Sequence, residues 1–366
     1  MQEEKWMQRA IELAQKGAGW TNPNPLVGAV IVKNGQVIGE GYHQKYGKPH
    51  AERNALESCT ESPAGATMYV TLEPCCHQGK TPPCTDAILE AKLSRVIIGS
   101  RDPNPKVAGK GAEVLRSRGI EVQEDFLREQ CDLLNPIFFH YITTGLPYVA
   151  MKYAMTADGK IATHTGASQW ITGEKAREHV HHLRNRHRAI LVGAGTVLKD
   201  DPALTCRIDG GRNPLRVICD KRLRIPLDSQ ICQSAAEIPT LVASHQGEEK
   251  KREALERLGV TVWDIPLKGE QLDLAILFKW LGEQQIDSVL VEGGAAIFGS
   301  IQEQNLANRL YCYIAPKLFG GIGAKSPIGG QGIALPGDAL QLEPPKVQYF
   351  DSGDLLLDYK VKEAKK

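Results

Sequence analysis

Two quotations decide how this chain is read: Pro49-His50-Ala51-Glu52, and further on Pro74-Cys75-Cys76-His77-Gln78-Gly79-Lys80-Thr81-Pro82-Pro83-Cys84. One imidazole and two well-spaced thiols make three ligands of the type zinc prefers, and a set of three leaves a coordination position open for water. Glu52, two residues after His50, is placed to move protons rather than to bind metal. Pro49 fits just before a helix, and Ala51 to Ser58 reads as that helix. Thr67 to Leu72 reads as a β-branched strand that ends at Glu73-Pro74-Cys75. The two prolines and Gly79 turn the following loop back tightly, and Cys84 opens a helix over Thr85 to Ala91. A thiol at a helix N-terminus ionises more readily and so meets a metal as thiolate.

Blander readings compete for the same residues. Free Cys is often only a small buried hydrophobe, so His50 and the two thiols also fit an inert core. Cys76 or His77 would complete a purely structural zinc site. Three features favour the catalytic reading. Each ligand sits beside a proline at an expected element boundary, a carboxylate accompanies the His, and the strand ends at the edge where α/β sheets bind ligands.

Working outward, Glu4 to Lys16 carries apolar residues at helical spacing and stops at Gly17 and Gly19. Asn22-Pro23-Asn24-Pro25 is a turn feeding a strand, Val27 to Lys33. Asn34-Gly35 is a two-residue hairpin signal, and Val37 to Tyr42 returns. Arg95 to Gly99 reads as a strand and Lys110 to Arg118 as a helix. The alternation argues for an α/β layer with a largely buried sheet. At 366 residues two domains are expected, and Thr143-Thr144-Gly145-Leu146-Pro147 is a turn-rich seam, dividing 1–145 from 146–366. The net charge of +1 gives no bulk attraction to nucleic acid or an anionic membrane. Nine scattered Cys, no secretory signal and no apolar run of spanning length point to a reducing cytoplasm.

In the second half, Tyr148 to Met155 reads as a strand, Asp158-Gly159 as a turn and Lys160 to Thr163 as a return strand. Glu174 to Arg188 is a helix, and Ala189 to Val192 a strand ending Gly193-Ala194-Gly195-Thr196. Arg216 to Cys219, Thr240 to Ala243, Ser288 to Val291 and Asp354 to Tyr359 are further strands. Gly193-x-Gly195 lacks the third glycine of a dinucleotide fingerprint. Glu292-Gly293-Gly294-Ala295, between a strand and a helix over Ala296 to Gln302, lets backbone approach a phosphate at a helix start, or is an ordinary turn. His179, His181, His182 and His187 invite a metal, but only 179 and 182 share a helix face, so they read as a surface or substrate-side helix.

Taken together, Asn24-Pro25-x-Val27-Gly28-Ala29-Val30, Gly41-Tyr42-His43, His50-Ala51-Glu52, Thr71-Leu72-Glu73-Pro74-Cys75, Gly79 to Cys84, Arg101-Asp102-Pro103-Asn104-Pro105 and Gly109-Lys110-Gly111 resemble the deaminase half of the bifunctional riboflavin-biosynthesis deaminase/reductases. Met151-Lys152, Asp158-Gly159-Lys160, Ser168-Gln169-Trp170-Ile171-Thr172, Val192 to Val197, Asp200-Asp201-Pro202-x-Leu204-Thr205-x-Arg207, Glu292-Gly293-Gly294 and Ala315-Pro316-Lys317 resemble the reductase half. The resemblance covers nearly the whole chain in order. It departs at Cys76, where Ser is expected.

The resemblance implies a cytidine-deaminase-like three-layer domain followed by a dihydrofolate-reductase-like domain, with zinc and NADPH as cofactors. It assigns His50, Cys75 and Cys84 to zinc, Glu52 to proton transfer, and Asn24 and His43 to the pyrimidine. It places Ala154, Trp170, Thr196, Asp200 and the segment Gly294, Ala295, Ala296, Ile297, Phe298, Gly299, Ser300 along NADPH. Ser168, Arg184, Leu204, Arg207 and Glu292 fall to the ribosyl phosphate substrate, and arginine forks suit phosphate oxygens independently. Lys152 is expected near the reacting sugar carbon. Lys221 and Arg222 meet the 2′-phosphate of NADPH or are solvated surface charges. The expected partner is the small-molecule substrate, with neither nucleic acid nor membrane, in a homo-oligomer.

Overall fold

A computed structural model of the chain describes residues 2–78, 82–104 and 107–362. The motif residues Gly79, Lys80, Thr81 and Pro105 and the tail 363–366 lie outside the described residues. The chain divides into two compact units, Met1–Gly145 and Leu146–Lys366.

The first unit runs α1 (Gln2–Gln15), β1 (Gly28–Lys33), β2 (Gln36–Tyr42), α2 (Ala51–Glu57), β3 (Thr67–Leu72), α3 (Cys84–Glu90), β4 (Arg95–Ser100), α4 (Lys110–Ser117), β5 (Glu121–Gln123), α5 (Arg128–Asp132) and α6 (Pro136–Thr144). Its five strands lie in the order β2-β1-β3-β4-β5. Strand alternation sorts the core into two faces. Ala29, Ile31, Met68, Val70, Val96 and Ile98 pack against Ala51 and Ala55 of α2, Ile88 of α3 and Leu115 of α4. Val30, Val32, Tyr69 and Ile97 pack against Met7, Ala10 and Ala14 of α1 and Cys131 of α5. Asn34 and Gly35 both take positive φ, 50° and 77°, the type I′ turn that an Asn-Gly hairpin adopts. The expected seam is partly helical: Thr143 and Thr144 finish α6, and Gly145 caps it in the left-handed region at φ 71°.

The second unit runs β6 (Tyr148–Thr156), α7 (Glu174–Arg186), β7 (Ala189–Gly193), α8 (Ala194–Asp200), β8 (Leu215–Cys219), α9 (Gln230–Gln233), β9 (Thr240–Ser244), α10 (Glu249–Arg257), β10 (Val260–Asp264), the short pair β11 (Leu267–Lys268) and β12 (Gln271–Leu272), α11 (Leu274–Glu283), β13 (Ser288–Gly293), α12 (Ala295–Glu303), β14 (Arg309–Ala315), β15 (Lys346–Tyr349) and β16 (Leu355–Lys360). The nine-stranded sheet has the order β10-β9-β8-β7-β13-β6-β14-β16-β15. Val149, Leu191, Val217, Leu241 and Val289 on one face bury against Leu277, Phe278 and Leu281 of α11 and Phe298 and Ile301 of α12. On the other face Ala150, Leu290, Tyr311 and Tyr313 pack against Ala176, Val180 and Leu183 of α7.

The expected return strand Lys160 to Thr163 does not form. The Thr156 amide bonds the Lys160 carbonyl at 2.9 Å, closing the turn, and the Ile161 amide then bonds the Lys325 carbonyl at 3.0 Å. Both edges of β6 are already taken, by β13 and β14, so no place in the sheet remains beside it. The helix α7 also ends two residues short of the expected Arg188, because His187 turns extended.

Candidate functional site

The first unit brings its three candidate ligands together. His50 is the residue before α2, with extended backbone. Cys84 is the first residue of α3, and Cys75 lies in the loop after β3. One ligand atom from each of His50, Cys75 and Cys84 lies within 4.8 Å of the others. His50 Nδ1 stands 3.5 Å from Cys75 Sγ and 3.4 Å from Cys84 Sγ. A tetrahedral zinc with nitrogen at ~2.0 Å and sulfur at ~2.3 Å would hold N and S about 3.5 Å apart, so this donor set fits the metal. Among the described residues no fourth Cys, His or carboxylate joins the group, and Cys76 is therefore not a member. The Cys84 amide donates to Cys75 Sγ at 3.4 Å. The Cys84 thiol hydrogen bond, helped by His50 and that amide, holds the Cys75 thiol well below its usual range, the state a metal ligand needs.

Glu52, in the first turn of α2, is buried at 3% exposure. Burial raises its carboxyl, only partly countered by His50. A carboxyl raised in this way can take a proton and return it. His43 is also buried, and burial lowers it to about 4, so its ring is neutral. Its Nδ1 lies 3.0 Å from the Pro49 carbonyl and its Nε2 3.1 Å from Asn24 Nδ2. A carbonyl only accepts, so Nδ1 carries the hydrogen and Nε2 accepts from the amide. Asn24 and His43 are thus tied to each other and to the chain immediately before His50.

In the second unit a cavity of about 960 Å³ opens at the C-terminal ends of β6, β13, β7 and β8. Lys152, Ala154, Ser168, Trp170, Arg184, Thr196, Asp200, Leu204, Arg207, Lys221, Glu292 and all of 294–300 except Gly299 line it. Gly299 faces away from it: a Cβ there would stand 2.5 Å from the Gly329 carbonyl oxygen, so its glycine serves close packing of α12 against that loop. The Arg184 guanidinium grips Glu292 through two bonds of 2.6 and 2.7 Å and holds the Thr205 carbonyl at 2.9 Å. Burial alone would raise the Glu292 carboxyl, but Arg184, Lys152 and His181 overcome it and hold it at about 2. Burial lowers the Lys152 ammonium, opposed by Glu292.

The backbone around the turns fits a dinucleotide. A Cβ on Gly195 would meet nothing within 4 Å, and one on Gly293 or Gly294 only Thr196 Oγ1, at 3.9 and 3.7 Å. Glycine here leaves cavity space beside bare backbone at the starts of α8 and α12, where a phosphate can come close. Lys221 lines the cavity while its ammonium donates to the Glu270 carbonyl at 2.8 Å. Arg222 is exposed and not in the wall. Arg224 is, and sequence reasoning passed over it.

The histidines of α7 separate. His179 meets the Tyr313 hydroxyl at 2.6 Å, His181 lines the cavity, His182 is exposed and His187 is buried. His181 accepts from the Arg207 amide at 3.3 Å and is lowered to about 4 by burial and by Arg184 and Arg207. Its one signal in the sequence was its place within the histidine group.

Comparison with known proteins joins the two sites. Residues 1–100 match the cytidine and deoxycytidylate deaminase zinc-binding region, and residues 147–356 match the RibD C-terminal domain. The chain is 54% identical to the riboflavin biosynthesis protein RibD of Actinobacillus pleuropneumoniae, over 97% of this chain and 94% of that one. It is 43% identical to RibD of Escherichia coli, over 87% and 89%. Among solved structures, RibD of Acinetobacter baumannii superposes with a TM-score of 0.87 at 38% identity, covering 99% of both chains. A diaminohydroxyphosphoribosylaminopyrimidine deaminase/5-amino-6-(5-phosphoribosylamino)uracil reductase of Thermotoga maritima gives 0.86 at 41% identity, again covering 99% of both. With both halves matched in order and across almost their whole length, the chain belongs to the RibD family, the bifunctional deaminase/reductases of riboflavin biosynthesis that pair a zinc-binding deaminase domain with an NADPH-dependent reductase domain.

Proposed function

We propose that residues 1–145 hydrolytically remove the 2-amino group of 2,5-diamino-6-(5-phosphoribosylamino)pyrimidin-4(3H)-one, and that residues 146–366 then reduce the ribosyl group of 5-amino-6-(5-phosphoribosylamino)uracil to its ribityl form. The observation that carries the reading is the triangle of His50, Cys75 and Cys84 with the buried Glu52 beside it.

His50, Cys75 and Cys84 hold the zinc, which when bound supplies an acidified water as nucleophile. Glu52 takes the water's proton and delivers it to the departing ammonia, a role its raised carboxyl suits. Asn24, oriented by the neutral His43, turns its amide toward the pyrimidine.

In the reductase cavity, Arg207 and Ser168 receive the phosphate arm, and the paired Arg184 and Glu292 position the ribose hydroxyls with Leu204 packing beside them. NADPH, when bound along Ala154, Trp170, Thr196, Asp200 and the start of α12, supplies the hydride. Lys152, which lines the cavity and whose ammonium Glu292 favours against its burial, is the group placed to give the proton that must accompany it. Lys221 and Arg224 stand at the β8 end, three strands from Lys152 on β6, or about 14 Å at the usual strand spacing. Cys219, Leu272 and Leu274 supply apolar wall at that end, a setting for the adenosine, with the two cations toward its 2′-phosphate.

The exposed edge strand β15, where Tyr349 is 77% and Val347 51% exposed, supports assembly into a homo-oligomer, and nine unpaired cysteines suit the cytoplasm.

The test follows ammonia release from the diaminopyrimidinone without NADPH, then NADPH oxidation, with zinc measured on the same sample. Ammonia release followed by NADPH oxidation supports both halves and their order. One zinc per chain with no ammonia released sinks the substrate assignment.

A further inference from the structure

The Glu73 side chain is as buried as the catalytic candidates, at 4% exposure, yet it belongs neither to the ligand triangle nor to the proton path. Among the described residues its carboxylate accepts hydrogen bonds from backbone amides. Oε1 accepts from the Gly111 amide at 2.9 Å and the Ala112 amide at 3.2 Å, and Oε2 accepts from the Gly109 amide at 2.9 Å. These amides open α4, where unpaired N–H groups favour an anion. The Glu73 amide in turn bonds the Ser100 carbonyl at 3.0 Å.

The following residues continue the arrangement. A Cβ on Gly111 would stand 2.1 Å from the Pro74 carbonyl oxygen, so α4 lies directly against the peptide that leads into Cys75. Beyond it, the Cys75 carbonyl accepts from the Cys84 and Thr85 amides at 3.0 and 3.2 Å. Gly109 sits at φ +83°. Both glycines of the Gly109-Lys110-Gly111 motif, which no step of the chemistry uses, thus serve this contact: Gly109 meets Glu73, and Gly111 meets Glu73 and Pro74.

We infer that Glu73 is a positioning residue of the zinc centre: latched by the first amides of α4, it fixes the backbone that presents Cys75 to His50 and Cys84. The inference rests on reading those three side chains as zinc ligands. Glu73→Gln keeps the shape, but whichever way the amide is turned its NH₂ faces a backbone donor, so the latch opens on one side. Gly111→Ala leaves the charge in place and displaces the Pro74 carbonyl instead.

The experiment measures zinc affinity of the full-length protein by competition with a chromophoric chelator, at a temperature where the zinc-stripped proteins are folded. Partners that orient metal ligands are typically worth 10–100-fold in affinity, and a loss of about 10-fold or more is expected in both variants. NADPH oxidation by the second unit should be unchanged and reports on folding of the rest of the chain. Wild-type zinc affinity in Glu73→Gln overturns the latch, whatever happens to the melting temperature. Should Glu73→Gln fail to fold, Gly111→Ala decides in the same way. A wild-type protein that binds no zinc removes the ligand assignment itself, and the latch with it.

Discussion

The two candidate sites are built on different principles. The zinc triangle draws its chemistry from side chains alone: two thiols, an imidazole and a carboxylate, presented at two helix starts and one strand end within the stretch His50 to Cys84. The reductase cavity gathers residues from Lys152 to Lys325, and much of its wall is backbone, as at Gly195, Gly293 and Gly294. Metal chemistry demands particular atoms, so few residue types can serve and a local stretch suffices. Holding a dinucleotide beside a sugar phosphate demands shape, which many residues share. A single substitution should therefore abolish function in the first unit more readily than in the second.

The largest effect expected is at Glu52. Glu52→Gln should lower ammonia release by about 10²–10⁴-fold, the usual worth of a positioned general acid/base, while zinc content and NADPH oxidation stay at wild-type levels. Loss of zinc along with activity would move Glu52 from proton transfer to metal binding, and the contrast between the sites would have to be redrawn.

The corresponding break in the second unit is Arg184→Met. It leaves Glu292 buried beside only Lys152 and His181, and stranding one partner of a buried pair costs about 3–5 kcal/mol. The Arg184–Glu292–Thr205 contacts also hold the loop that carries Leu204 and Arg207. A lower melting temperature of the second unit and a raised KM for the ribosyl phosphate are expected together, with ammonia release untouched. The double variant Arg184→Met, Glu292→Gln should recover part of the stability and little of the KM. Equal recovery of both would mean that the pair acts only through the fold.

How legible each region was follows from the same difference. The candidate ligands His50, Cys75 and Cys84 stood out because each was a reactive type beside a proline, and the structure brings them together with Cys76 left out. The strand Thr67–Leu72 was readable from its β-branched residues and the Glu73-Pro74 stop, although both of its faces are buried and leave no alternation. The return strand at Lys160 was misread because local pattern does not say whether a sheet edge is free, and β6 has none. Arg224 was missed for Arg222 because side-chain direction three to five residues past the end of β8 depends on the turn, which composition does not encode. Gly299 was taken as cofactor wall because a continuous segment hides which face of α12 it lies on.

A smaller effect would sharpen the cavity's polarity. If Lys221 and Arg224 meet the 2′-phosphate, removing each should weaken NADPH by about 10-fold or more, in line with about 1.5–3 kcal/mol for a hydrogen bond to a charged group, and leave NADH alone. Calorimetric titration with 2′,5′-ADP reads the same contact without turnover. Arg222→Ala, outside the wall, is the control. Equal losses for NADPH and NADH would place these cations elsewhere along the cofactor.

The smallest effect is in acid, where the two units should part again. His181 and His187 are both lowered by burial to about 4, so between pH 6.5 and 4 their unfolded forms bind protons that the folded forms refuse. Stability of the second unit then falls as pH falls through that window, with a slope of up to about 1.4 kcal/mol per pH unit for each proton. The fully buried His187 carries most of it, since His181 is partly screened by solvent. In the first unit His43 is lowered in the same way and Cys75 is held low as well, but burial raises Glu52 above its usual range and Asp102 to about 6. Those carboxyls take up protons in the folded state over the same window, and their contributions have the opposite sign. These contributions oppose one another, so the first unit should lose less stability down to about pH 4 than the second. Hydrogen exchange by mass spectrometry, corrected for intrinsic rates, assigns protection to each unit at pH 7 and pH 5. Zinc-stripped protein is the sample to use, because acid release of the metal would otherwise add a loss to the first unit alone. Greater loss of protection in residues 1–145 than in 146–366 would mean that Asp102 is not protonated in the fold, and that its bond from the Asn104 amide at 2.8 Å outweighs its burial.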